Sequence, residues 1–529
     1  MRTLADGTRI IWEPLDGSQT LAMSCPANVI LYEGTRGPGK TDAQLHRFHR
    51  NVGLGYGRFW RGAIFDREYK NLDDLVSKSL RWFPQLRTGG RFLASKSDYR
   101  WIWPGGEELL FRVVKKQEHY WNYHGQEFPF LGWNELTKFP DPGLFEAMMS
   151  CNRSSFRPED YPIWVSAEHY RRGQILHVPK KTKGGIEVLL PEIPLEVFAT
   201  TNPFGVGHNW VKQRFIDCAK RGQIVKTSAV VFDPKLQQDR EVIKTQVAIF
   251  GSYKENKYLS AEYILELEKI TDPNKRKAWL EGDWSITSGG MFDDLWSAEH
   301  HVVEPFEIPR TWKLTRSYDD GSAKPFSVGW WAISDGTPYV TKSGKIVSTV
   351  GGDCFRFAEW YGCVEGKYNM GLNLTATQIA SGIAKREIEF GFRDRIVPGP
   401  ADGNIFNEER GNSVASDMAK MVRLDDGYVA GVTWTRANKS RIDGWKTIRE
   451  YLLAALPQKR TDGSPATRDR PGMYVFSNCK DFIRLFPGTV RDEEKQDDVD
   501  TESEDHLQDE TRYFIASVAV GMRTGTTRG

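Results

Sequence analysis

Apolar residues in this chain come in short runs separated by polar or turn-forming residues. The runs at 29–32, 63–65, 101–103, 109–114, 128–133 and 196–199 are compact and bounded, as buried strands are. Residues 41–52 and 72–83 instead carry apolar positions at helical spacing. Strands alternating with helices predict a sheet covered by helices. From 253 to 284 the pattern turns helical, with Ser260 as an N-cap; the stretch 283–290 breaks it, and Pro305 and Pro309 follow. Beyond that break, strands are predicted at 313–318, 326–333, 349–361 and 396–397, and helices at 377–390, 442–456 and 506–520, a second mixed sheet with helices. The expected organisation is a first domain over 1–250, a helical linker or subdomain over 251–310 and a second domain over 311–529.

A chain of 529 residues is long for one core and agrees with two or three domains. A formal charge of +2 with 27% charged residues rules out a bulk polycation, so any nucleic-acid surface has to be local. The basic stretch at 170–185 reads either as a solvated loop or as a segment facing DNA, and 492–510 is heavily acidic. Six cysteines (Cys25, Cys151, Cys218, Cys354, Cys363 and Cys479) without a C-x-x-C pair argue against a zinc site or a disulfide framework and suit a reducing compartment. No uninterrupted apolar span reaches about 18 residues and the first six residues have no signal core, so neither membrane insertion nor secretion is expected.

The most informative stretch is Gly34-Thr35-Arg36-Gly37-Pro38-Gly39-Lys40-Thr41, of the form G-x-x-x-x-G-K-[ST], lying between a strand and a helix. Glycines let backbone N–H groups turn inward around phosphate oxygens, with Lys40 beside the β/γ-phosphates and the Thr41 hydroxyl on Mg²⁺. This predicts an ATP site. Such a site needs an acidic pair closing a second strand. Trp133-Asn134-Glu135 supplies Glu135 as general base, but position 134, where an aspartate is expected, is asparagine. Its amide offers a carbonyl oxygen to the metal shell without the charge. A third strand ends in Thr200-Thr201-Asn202-Pro203, where Thr201 and Asn202 are candidates for sensing the γ-phosphate.

Taken in order, the Gly34–Thr41 block, Gly125-Gln126-Glu127-Phe128 leading to Asn134-Glu135, Thr201-Asn202-Pro203-Phe204-Gly205 and Asn209-Trp210-Val211-Lys212 resemble the ATPase half of the large terminase subunit of tailed bacteriophages. Gly282-Asp283-Trp284 and Gly290-Met291-Phe292 resemble that family's inter-domain segment. The resemblance implies an α/β fold: a P-loop ATPase domain with a mostly parallel sheet and helices on both faces, then a ribonuclease H-like nuclease domain. The nuclease requires carboxylates converging on two Mg²⁺ or Mn²⁺ ions. Asp319, Asp402 and Asp509 stand where the family's motifs place them, with Asp320 and Asp505 as rivals for the first and last. His506, one helical turn before Asp509, is a further metal-site candidate. By the same resemblance Gln19 faces the adenine and Arg36 bears on the γ-phosphate.

The implied function is a viral DNA-packaging motor, an ATPase that drives double-stranded DNA into the procapsid and a metal-dependent endonuclease that cuts the concatemer. Its implied partners are the portal protein and a small terminase subunit, with the chain in a homo-oligomeric ring, no membrane, and action in the host cytoplasm rather than in the mature virion. Two other readings remain: a helicase-like translocase without nuclease activity, and a non-catalytic DNA-binding assembly protein with a degenerate nucleotide site.

Overall fold

The computed structural model describes the chain except residues 1, 4–8, 96, 235–236, 286–289, 293, 366–368, 409–410, 426, 439, 459–465, 490, 493–494, 496, 500–503 and 526–529. Parts of the N-terminal hexapeptide, of the expected break at 283–290 and of the acidic run at 492–510 therefore lie outside the described residues. The chain divides into two compact units, Met1–Ile286 and Thr287–Gly529. Among the described residues no helix is long and apolar enough to cross a membrane.

The first unit is built on a nine-stranded sheet: β1 (Val29–Gly34), β2 (Arg61–Asp66), β3 (Arg91–Leu93), β4 (Arg100–Ile102), β5 (Glu108–Val113), β6 (Phe130–Trp133), β7 (Glu196–Thr200), β8 (Val225–Asp233) and β9 (Gln238–Gly251), in the order β8-β9-β1-β7-β6-β2-β5-β4-β3. Neighbours from β9 to β5 pair in parallel, and β8, β4 and β3 add antiparallel edges. β1, β6 and β7 are buried along their whole length, as strands covered on both faces must be, which is why they read as unbroken apolar runs. The helices α1 (Ser18–Ser24), α2 (Lys40–His49) and α3 (Tyr69–Trp82) belong to this unit. α3 buries the stripe Leu72, Leu75, Val76 and Ser79, the spacing of a half-buried helix.

Two parts of this unit differ from the sequence expectation. The helical stretch at 253–284 is broken into pieces: α4 (Ala261–Glu268), a short helix Pro273–Arg276 and a π-helical turn Lys277–Glu281. Ser260 does cap α4, its hydroxyl accepting from the Tyr263 N–H at 3.2 Å. Pro273, which cannot donate to a helix ladder, opens the second piece. The β8–β9 hairpin was not anticipated. Its outer half exposes Val230, Val231 and Phe232 and has no buried face, so it carries no period-two signal. The basic stretch runs from the end of a short helix, Ala167–Arg171, through turns to the strand Gly185–Val188, which pairs antiparallel with Ile163–Ser166.

In the second unit β10 (Lys313–Asp319), β11 (Ser327–Ile333) and β12 (Cys354–Tyr361) form an antiparallel meander. β13 (Pro400–Ala401) pairs in parallel on the far side of β10, and β14 (Thr435–Arg436) in parallel on β13. In chain order the five strands lie third-second-first-fourth-fifth, the ribonuclease H-like arrangement. β15 (Met473–Phe476) and Val302–Val303 extend the sheet beyond β12. The helices are α5 (Ala376–Glu389), opened by a Thr375–Gln378 capping box, α6 (Arg441–Ala455) and α7 (His506–Gly525). α7 packs on α6 and across β10 and β11.

Beneath α7 lies a buried ion pair. Glu510 binds Arg356, both side chains fully out of solvent, and accepts from Ser317 Oγ and, at 3.2 Å, from Trp331 Nε1. Removing one member of such a pair strands the other charge in a low-dielectric interior. Glu510→Ala is therefore expected to lower stability by about 3 kcal/mol, read as a shift of the guanidinium unfolding midpoint of the full chain, with Glu510→Gln losing less. A shift in Glu510→Ala no larger than that of a surface substitution would show that Glu359, 3.6 Å from Arg356, carries the charge alone.

Candidate functional site

The first site forms where three parallel strands end together. Because β7 lies between β1 and β6, the residues after β7 fall between the loop that follows β1 and the residues that follow β6. The loop after β1 is the glycine-rich segment. Gly34, Gly37 and Gly39 have φ of 122°, 97° and 86°, a region that side-chain-bearing residues avoid. A Cβ on Gly34 would also lie 2.3 Å from the Gly251 carbonyl oxygen.

Lys40, the first residue of α2, is buried, and its Nζ donates to the Thr35 carbonyl at 2.6 Å and to Asn202 Oδ1 at 2.8 Å. Burial lowers the ammonium to about 8, against the opposing pull of Glu135 and Glu33. Asn202 turns its other end to Glu135, donating from Nδ2 at 3.1 Å and from its backbone N–H at 3.2 Å. Lys40, Asn202 and Glu135 thus form one continuous chain. Glu135 holds φ 52°, a left-handed backbone that costs a non-glycine residue on the order of 1–3 kcal/mol and is common where a side chain must be aimed. Thr201 is fastened to Thr137, hydroxyl to hydroxyl at 2.8 Å.

A cleft of about 740 Å³ opens onto this chain, lined by Arg36, Gly37, Pro38, Gly39, Lys40, Thr41, Asn134, Glu135 and Asn202 among others. Thr41 and Asn134 are two of the neutral oxygen-bearing side chains in its wall, with Asn71, Thr137, Asn202 and Asn256. Asn134 is nevertheless engaged on one side: its Nδ2 donates to Asp66 Oδ2 at 2.7 Å. Arg36 lies flat over the Trp279 ring, 3.2 Å from its centroid, and its backbone N–H donates to the Trp279 carbonyl. Gln19 spans two backbone groups, donating to the Gly39 carbonyl at 2.9 Å and accepting from the Leu15 N–H at 2.6 Å. It also lines an adjoining cavity of about 580 Å³ with Trp12, Trp82 and Tyr258.

The second site is a carboxylate cluster in the second unit. Asp319 ends β10, buried, with His506 Nδ1 2.8 Å from its Oδ2. Burial, then the charges of Asp509 and Asp402, push its carboxyl far above the usual range. Asp402, after β13, accepts from the Asn404 N–H at 3.0 Å, an Asx turn that still leaves it within electrostatic reach of Asp319. Asp505 is raised to about 7 by burial and by Asp509. Asp509 is held by two arginines, Arg441 Nη1 at 2.8 Å and Arg512 Nε at 3.0 Å. Asp320 turns instead to the Tyr318 hydroxyl, 2.5 Å away.

The structure therefore brings Asp319, Asp402, Asp505, Asp509 and His506 together and leaves Asp320 aside. Among the described residues no three His, Cys, Asp or Glu side chains are close enough to hold a metal as they stand. The donor chemistry still suits a cation: mutually repelling buried acids, and a His506 Nε2 that is buried with no hydrogen-bond partner. Sequence reasoning missed Asp66 and Arg441, and gave Arg512, which stands in the motif around Asp509, no role of its own. An acid closing the apolar run 63–65 was a readable signal for Asp66, whereas Arg441 reaches the cluster only through the packing of α6 on α7.

No family model and no curated protein matches the chain. Among solved structures it is similar to the large terminase of the thermophilic bacteriophage D6E in complex with ADP, at 14% identity over 95% of this chain and 99% of that one, with a TM-score of 0.35. It is also similar to the HK97 bacteriophage large terminase, at 10% identity over 97% and 95% with a TM-score of 0.41. The P22 large terminase nuclease domain matches at 19% identity over 43% of this chain and 91% of that one, with a TM-score of 0.27. At such identities and scores these likenesses bear no weight, and the geometry of the two sites carries the functional reading.

Proposed function

We propose that the chain is an ATP-driven DNA-packaging motor of the large terminase kind, hydrolysing ATP in its first unit and cutting double-stranded DNA in its second. The observation that carries this reading is the Lys40–Asn202–Glu135 chain at the foot of a glycine-rich cleft. Its companion is the carboxylate cluster at the end of the ribonuclease H-like β10. The order of motifs along the sequence supports the same reading, and with it the portal protein, the small terminase subunit, a ring of copies and the host cytoplasm as setting.

On this reading the N–H groups of Gly37 and of residues 39–41, since those of Thr35 and Arg36 already donate to Gly251 and Trp279, together with the Lys40 ammonium bind the phosphates of ATP, which replace Asn202 and the Thr35 carbonyl as acceptors for the ammonium. Glu135, aimed by Asn202, takes the proton of the attacking water. Asn202 is released from Lys40 by the same event that arms Glu135, and the Thr201–Thr137 link ties that change to the residues following Glu135. Thr41 and Asn134 would hold Mg²⁺, which neutralises phosphate charge. In the second unit Asp319, Asp402 and Asp509 or Asp505 would hold two Mg²⁺ or Mn²⁺, which activate water and steady the leaving oxygen. His506 fixes the orientation of Asp319. The grip of Arg441 and Arg512 on Asp509 favours a second reading, a translocase that does not cut.

The deciding measurement is ATPase activity and Mn²⁺-dependent plasmid cleavage for the parent, Lys40→Ala and Asp319→Ala. Lys40→Ala is expected to lose ATPase by about a hundredfold or more while still cutting, and Asp319→Ala to lose only cleavage. Loss of both activities in either variant would refute two separate sites, and a parent that hydrolyses ATP but never nicks plasmid would establish the second reading. A further outcome follows from Lys40. Phosphate favours its charged form, so above pH 8, where the unliganded group is largely neutral, ATP binding takes up a proton and affinity falls as pH rises. Calorimetry at about pH 8.5 in two buffers of different ionisation enthalpy reads this uptake, and Lys40→Arg abolishes it. Equal heats in both buffers for the parent would mean that Lys40 is already charged.

A further inference from the structure

We infer that Asp66 is the acid of the nucleotide site: it positions the Asn134 amide and lends it the negative charge that an aspartate at 134 would have brought. This rests on the nucleotide-site reading above. β2 and β6 are parallel neighbours with Phe65 opposite Trp133, so Asp66 and Asn134 leave adjacent strand ends side by side. The Asn134 N–H donates to the Phe65 carbonyl at 2.9 Å, which continues that alignment by one residue.

Asp66 is fully buried and its carboxylate faces donors only: Asn134 Nδ2 at 2.7 Å, the Glu68 N–H at 3.1 Å, Asn71 Nδ2 at 3.2 Å and Lys138 Nζ at 3.2 Å. A carboxylate accepts and does not donate, so the end of the Asn134 amide turned toward it is the NH₂. The carbonyl Oδ1 is thereby fixed on the opposite side, near Thr200 Oγ1 at 3.5 Å. Asn134 and Lys138 line the cleft while Asp66 stands behind them. A hydrogen bond from an amide to a carboxylate polarises the amide, leaving more negative charge on its oxygen. The acid has moved one strand over, and the asparagine relays it.

This arrangement reverses the ordinary expectation for Asn134→Asp. Restoring the expected aspartate sets two carboxylates where donor and acceptor now meet at 2.7 Å. The exchange Asp66→Asn with Asn134→Asp keeps one amide and one carboxylate and only swaps their places. If Asp66 merely braced Lys138 and the start of α3, the exchange would rescue nothing.

The test uses the full chain and ATPγS, measuring by calorimetry the ratio of affinities with Mg²⁺ and with EDTA, alongside thermal unfolding. Asp66→Asn and Asn134→Asp are each expected to cut that ratio by about tenfold, the usual scale for losing an outer partner of a metal ligand. The exchange variant is expected to return within about threefold of the parent. An exchange variant no better than the weaker single variant, or Asn134→Asp matching the parent, would overturn the inference. If Asp66→Asn does not fold, Asn134→Asp against the exchange variant makes the same comparison. A parent that binds no ATPγS would overturn the nucleotide site itself and this inference with it, whereas a normal parent with a failed exchange overturns this inference alone.

Discussion

A lysine buried in the wall of a cleft has to be paired, and most of the first unit can be understood as the means of pairing Lys40. Its ammonium is held between a loop carbonyl and the Asn202 amide. That pairing exists because β7 separates β1 from β6. If the strands that end in the loop and in Glu135 were adjacent, no residue would stand between Lys40 and Glu135. An amide suits the gap because it accepts from the ammonium at one end and donates to the carboxylate at the other. Strand order, an issue of backbone topology, thus sets which side chain stands between the lysine and the glutamate.

The second unit meets the opposite problem. There the groups at the end of β10 are buried acids, and helix residues face them: the imidazole of His506, whose charged form burial disfavours, on Asp319, and the guanidiniums of Arg441 and Arg512 on Asp509. Deeper in the same unit Arg356 and Glu510 solve the problem permanently, as a closed pair with hydroxyl and indole donors around it. The contrast separates structure from chemistry. A pair sealed under α7 leaves nothing to offer, while the acids at the end of the strand still repel one another, and on that repulsion the proposed cation site rests.

Much of this was legible in the sequence wherever a residue's role follows from its own neighbours in the chain. The glycine-rich loop needs a strand before it and a helix after it, and both are apolar patterns. Asp319 is the last residue of β10, which is buried at every position from Leu314 onward, while Asp320, past the strand, turns to Tyr318. What escaped was set by register between distant segments. Asp66 meets Asn134 across 68 residues because two parallel strands stop at the same level, and Arg441 meets Asp509 because α6 lies on α7. The β8–β9 hairpin escaped for another reason: burial writes the alternation that sequence reading depends on, and its outer half is not buried.

That hairpin has a consequence of its own. Of the fourteen residues of β9, only Gln246–Gly251 are paired with β1; the preceding residues pair with β8 alone. Substitution, lengthening or shortening in the outer part alters no side chain of the core and no strand beside the cleft. The fold therefore leaves this ribbon free to diverge from one lineage to the next, while β9 near its end and the glycine-rich loop beside it are bound to the same selective constraint.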